Sequence, residues 1–91
     1  MLDEVNERYI GEYGIVKLTE NETLFLKCLL DNFPYKTATY EKLYDCLWSG
    51  MLSEERMRIN LGVTANKLNK KLKKEFKIRA IRNRGYAIRE V

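Results

Sequence analysis

Ninety-one residues suffice for one domain and fall short of two. With 45% hydrophobic and 33% charged residues, the chain is not of disordered composition, and no apolar run approaches the ~20 residues of a membrane span. The net charge of +4 hides an asymmetry: residues 1–55 carry five Lys/Arg against eleven Asp/Glu, whereas residues 56–91 carry twelve Lys/Arg against Glu75 and Glu90 alone. Charge runs are commonly just solvated faces, but the split suggests a polyanion partner for the C-terminal part.

The acidic start, Met1 to Glu4, lacks an apolar stretch, which argues against a secretory signal and for a cytoplasmic, nucleoid-associated protein without a membrane partner. Within the N-terminal region, residues 1–17, the run from Tyr9 to Leu18 is rich in β-branched and aromatic residues. It reads as one strand or as a short hairpin turning between Gly11 and Gly14. Thr19, followed three residues later by Glu22, forms a capping box that opens a first helix over 18–33. Phe25, Leu26, Leu29, Leu30 and Phe33 supply its apolar stripe, and Pro34 marks its end. Thr39 caps a second helix over 39–48, with Leu43, Leu47 and Trp48 facing the core, Tyr44 and Cys46 flanking, and Ser49-Gly50 as terminator.

Ser53-Glu54-Glu55 opens a third helix, from about 54 to 74. Leu61, Ala65, Leu68 and Leu72 fall on one stripe at helical spacing. The opposite face carries Ile59, Val63, Asn66, Lys67, Lys70 and Lys74, with Asn60, Thr64 and Lys71 on one flank. A buried stripe backed by lysines and amides is what a major-groove helix needs. An ordinary surface helix would also be cationic outside, but would not explain Ile59 and Val63 among the polar residues. Beyond it, residues 77–90 alternate at period two on either side of Asn83-Arg84-Gly85, a turn sequence, predicting a hairpin with arginines at and beside its tip. The whole is an α+β chain of winged helix-turn-helix order, a single domain over 1–91.

Enzymatic chemistry is not expected. The chain has no histidine, no glycine-rich phosphate loop and no acidic cluster of metal-ligand spacing in its basic half, so no catalytic residue, metal or cofactor is assigned. Cys28 and Cys46 lie in apolar-patterned segments without a CxxC pair and read as two reduced, buried residues.

Four stretches resemble the OmpR/PhoB family of bacterial response-regulator effector domains. They are Leu18-Thr19-x-x-Glu22, the run from Thr39 to Trp48, Leu61-x-Val63-x-Ala65-x-x-Leu68-x-Lys70-Lys71-Leu72, and Ile81-Arg82-Asn83-Arg84-Gly85-Tyr86. The family writes these roughly as LTxxE, SxxxLxxxVW, VDVxIxxLRKKL and VRGxGY, and the match covers about residues 18 to 90. The chain departs from the pattern at Gly62, where the family has an acid, and at Asn83, where it has glycine. Thr64, Asn66 and Asn69 stand where members often carry His or Arg. Residues 1–17 are shorter than the family's four-stranded sheet, and there is no receiver domain.

The resemblance implies double-stranded DNA as partner and transcription regulation as function, with the third helix in the major groove and the hairpin in the adjacent minor groove. On the residues' own chemistry, Lys67, Lys70, Lys71 and Lys74 neutralise phosphates or reach guanine, and Asn60 or Asn66 pairs with adenine. Val63 meets thymine methyls, Thr64 shares the face, and Arg82 and Arg84 suit an A·T-rich minor groove. The resemblance further implies that the loop from Ser49 to about Met57 corresponds to a segment able to touch RNA polymerase, although the loop is short and unremarkable and a plain connector is the simpler account. It also suggests a weak or DNA-induced homodimer on direct repeats. The competing class is a winged-helix protein-interaction module that never touches DNA.

Overall fold

Three short strands begin the chain: β1 (Leu2–Asp3), β2 (Arg8–Gly11) and β3 (Gly14–Lys17), in sheet order β1-β2-β3. The computed structural model describes residues 1–31, 37–48 and 53–91. The expected hairpin is β2–β3, closed by the Gly11↔Gly14 pair around Glu12 and Tyr13, with Gly14 at φ 117°. β1 was not expected; two residues show no periodicity to read.

Helix α1 (Glu20–Asp31) begins as the capping box requires: the Thr19 amide donates to Glu22 Oε1 at 2.8 Å, and the Glu22 amide to Thr19 Oγ1 at 3.2 Å. Phe25, Leu26 and Leu29 are fully buried and Leu30 half-buried, while Phe33 and Pro34 lie outside the described residues. Strand β4 (Ala38–Thr39) leads directly into α2 (Tyr40–Leu47), where Thr39 Oγ1 accepts from the Lys42 amide. Here Leu43 and Tyr44 are buried, and Leu47 and Trp48 only half so; the expected terminator Ser49-Gly50 lies outside the described residues.

Helix α3 (Glu54–Lys71) is capped by Ser53 and stops three residues short of the expected end, with Leu72 as its C-cap. The stripe of Leu61, Ala65, Leu68 and Leu72 is buried as expected, joined by Met57. Strands β5 (Phe76–Ile81) and β6 (Gly85–Glu90) then form the hairpin around Arg82-Asn83-Arg84. Asn83 takes the left-handed conformation (φ 62°) that the turn demands. β6 pairs on its other side with β4, giving the sheet order β4-β6-β5, entirely antiparallel. Gly85 is compulsory at that junction, since a Cβ there would stand 1.9 Å from the Ala38 carbonyl oxygen. Ile78 and Ile88 face the helices and complete the core.

The architecture is thus α+β and winged-helix-like: three helices between an N-terminal sheet and a C-terminal hairpin. The two sheets meet at Tyr9 and Phe76, packed edge-on at 5.5 Å between ring centres. Glu75 adds a polar tie, accepting from the Glu12 amide at 2.7 Å. Among the described residues, no helix is long and apolar enough to cross a membrane.

Candidate nucleic-acid interface

The core claims one side of α3 and leaves the other to solvent. Ile59 and Val63 are 60% and 47% exposed, high values for apolar side chains of this size. Asn60, Asn66, Lys67 and Lys70 are exposed around them. Among the described residues, neither Lys67 nor Lys70 has an ion-pair partner, so their charge is available to a ligand.

Three expected members of this face prove otherwise engaged. Thr64 is buried, because it lies three residues from Leu61 and four from Leu68; the apolar stripe of a packed helix is wider than one row. It cannot meet a base edge. Lys71 turns its ammonium inward, donating to Glu22 Oε1 at 2.6 Å and to the Lys17 carbonyl at 3.1 Å. Lys74 lies past the helix end, its Nζ 5.4 Å from the centre of the Tyr13 ring. Thr64 and Lys71 belong to the packing of α3 on its neighbours, whereas Lys74 is an exposed residue beyond the helix, beside the Tyr13 ring.

Glu22 explains why Lys71 is held there. Its side chain is only 1% exposed, and Oε2 has no hydrogen-bond partner among the described residues. Burial alone would raise the Glu22 carboxyl; the Lys71 ammonium and the Thr19 amide outweigh that and hold it below its ordinary value. Asn69 is likewise structural. Its Nδ2 donates to the Ile78 carbonyl and its Oδ1 accepts from the Ile78 amide, so one side chain satisfies both backbone groups on the free edge of β5.

The hairpin tip presents Arg82 and Arg84, both exposed, on either side of Asn83. The tip is anchored, since the Tyr40 amide donates to the Arg84 carbonyl at 2.9 Å. The Tyr40 ring in turn carries the Arg58 guanidinium, 4.7 Å from its centre. Tyr40 also stacks on Tyr44 and meets Tyr86 edge-on, so this platform joins α2, α3 and β6. Sequence reasoning missed Arg58 and Tyr40. The available signal was Arg58 one helical turn before Gly62, on the strip beside Ile59, but its partner on another element could not be read from periodicity.

Neither cysteine contributes to this surface. Cys28 is buried, and burial together with a hydrogen bond to Cys46 pushes its thiol up to about 12. Cys46, expected inside, is exposed on α2 because Leu43 and Tyr44 take the inward positions. Among the described residues, no three His, Cys, Asp or Glu side chains stand close enough to hold a metal. Compared with models of known protein families and with curated sequences, the chain matches none.

Proposed function

We propose that the chain binds double-stranded DNA and regulates transcription, with α3 in the major groove and the hairpin tip in the adjacent minor groove. The observation that carries this reading is the linkage Arg84–Tyr40–Arg58, which fixes the wing tip beside α3. Lys67, Lys70, Arg58, Arg82 and Arg84 are the phosphate and minor-groove contacts. Asn60 and Asn66 offer amides to adenine, while Val63 and Ile59 suit thymine methyls, so the site leans to A·T. The resemblance to OmpR/PhoB effector domains supports the same docking. It also supplies the grounds for a DNA-induced dimer on direct repeats and for a polymerase contact near residues 49–57. Of that last segment, Glu54–Met57 is the first turn of α3, and Ser49–Leu52 lie outside the described residues.

One observation favours a second reading. Exposed Ile59 and Val63 would serve equally as anchors for a protein partner. Selection of bound sequences from a random duplex library, followed by salt titration, decides between them. The DNA reading expects an A·T-leaning site and affinity that falls steeply with salt. Replacing Lys67 or Lys70 with alanine should each flatten the log–log slope by about one. Absence of salt-sensitive duplex binding would favour the protein-interaction reading.

A further inference from the structure

The inner face of the β4-β6-β5 sheet is occupied by Ile78 and Ile88, buried against the helices. Among the described residues, nothing covers Lys77, Arg79 and Arg89 on its outer face. Lys77 stands directly opposite Arg89 across the β5–β6 pair. Arg79, two residues nearer the turn and on the same face, stands opposite Ala87. All three cations are exposed, and none has an ion-pair partner among the described residues. Like charges directly opposed across an antiparallel pair work against the sheet, so the hairpin carries a repulsion that no ion pair among the described residues relieves. The neighbouring acids do not relieve it: Glu90 is in register with Phe76 on the other face, and Glu75 is bound to the Glu12 amide.

We infer that this outer face is a second phosphate-binding surface, taking the backbone of a flanking segment of the same duplex whose groove receives α3, bent round the hairpin. The inference rests on the DNA reading above. The charge pattern fits the occupant. At about 3.3 Å per strand residue, the row from Lys77 to the arginines of the turn runs about 17 Å. Along it lie five cations, Lys77, Arg79, Arg89, Arg82 and Arg84, and no acid. Duplex DNA offers about one phosphate charge per 1.7 Å of axis, so such a row meets phosphates throughout. Because the face points away from α3, a straight duplex seated on α3 does not touch it. Contact therefore requires extra length and curvature.

The test uses one selected sequence in two duplexes, one just filling α3 and the wing tip and one extended well beyond them. The full chain is compared with the triple variant K77A/R79A/R89A, with K67A as reference. On the short duplex the triple variant should bind like the parent. On the long duplex it should bind roughly tenfold or more weakly, with a salt slope shallower by about two to three. Its melting temperature should match or exceed the parent's, since a repulsion has been removed. Equal binding of variant and parent at both lengths overturns the inference, while loss in K67A alone leaves the DNA reading standing. Equal loss at both lengths places the three cations inside the primary footprint and also overturns it. If the parent binds neither duplex, the DNA reading itself falls. Capture of an acidic peptide such as polyglutamate through these residues, without long-duplex binding, assigns the face to a protein instead.

Discussion

Two faces of the C-terminal half of α3 and the residues just beyond it carry the same residue types and use them oppositely. On one, polar side chains answer to the protein: Asn69 to the edge of β5, Lys71 to Glu22, and, past the helix end, Lys74 to the Tyr13 ring. On the other, Asn66, Lys67 and Lys70 are exposed, and neither lysine has an ion-pair partner among the described residues. Lys70 and Lys71 are adjacent in sequence, yet one is an interface residue and the other a structural tie. A count of positive charges does not distinguish them. The 100° step between neighbours does, because it turns Lys71 toward the N-terminal end of α1.

The sharpest way to break the comparison is to neutralise lysines one at a time. Lys71→Met leaves the Glu22 carboxylate buried without its cation. Removal of one partner from a buried pair costs several kcal/mol, and the part-exposed lysine end reduces that, so a loss of about 2 kcal/mol is expected in urea unfolding. Lys67→Met and Lys70→Met should stay within about 0.5 kcal/mol of the parent. Equal stability of all three variants would dissolve the distinction.

Acid titration sharpens the same contrast. The folded Glu22 carboxyl lies below its ordinary value of 4.5, so its contribution is fully present above that value and is lost as pH falls through the folded one. Asp3, lowered by its hydrogen bonds with Asn6 and by Arg8, adds a loss of the same sign. The Glu22 share is the part that Lys71→Met removes. The variant's stability should therefore fall less steeply than the parent's below pH 4.5, as followed by urea unfolding at a series of pH values. An unchanged acid limb would mean the pair does not hold Glu22 ionised.

Asn69→Ala comes next in size. It strips both hydrogen bonds from Ile78 on an edge strand, where water can partly replace them. The expected cost is about 1–2 kcal/mol, with amide exchange at Ile78 accelerated more than elsewhere in β5. A loss of DNA affinity without loss of stability would instead make Asn69 a contact residue.

These assignments mark how far the sequence could be read. The capping box at Thr19, the buried stripe of α3 and the turn at Asn83 are local, each set by residues within a few positions, and all three were legible. Thr64, Lys71, Asn69 and Arg58 were not. Lys71, Asn69 and Arg58 are each decided by a group on a distant element, the Glu22 carboxylate, the Ile78 backbone and the Tyr40 ring, whereas Thr64 is buried because the apolar stripe is wider than one row. Periodicity places a residue on a face but does not say what stands opposite. β1 escaped for a different reason, since its pairing with β2 depends on register and not on pattern.

The smallest effect concerns Gly62, half-buried one turn before Asn66 and a poor residue for a helix interior. Nothing among the described residues demands it: a Cβ there would meet only the Tyr86 hydroxyl, at an ordinary 3.8 Å, whereas one at Gly85 would strike the Ala38 carbonyl. Gly62→Ala should therefore stabilise the domain by about 0.5–1 kcal/mol, read as a higher urea midpoint at unchanged slope. A stabilised variant with undiminished duplex affinity makes Gly62 a tolerated weakness. A stabilised variant that binds DNA several-fold more weakly shows that the glycine serves close approach of the ligand to α3, and extends the interface from Lys67 and Lys70 to the helix backbone between Arg58 and Asn66. A destabilised variant would mean that α3 is packed more tightly on Tyr86 than 3.8 Å allows, and would move Gly62 to the side of the structural residues.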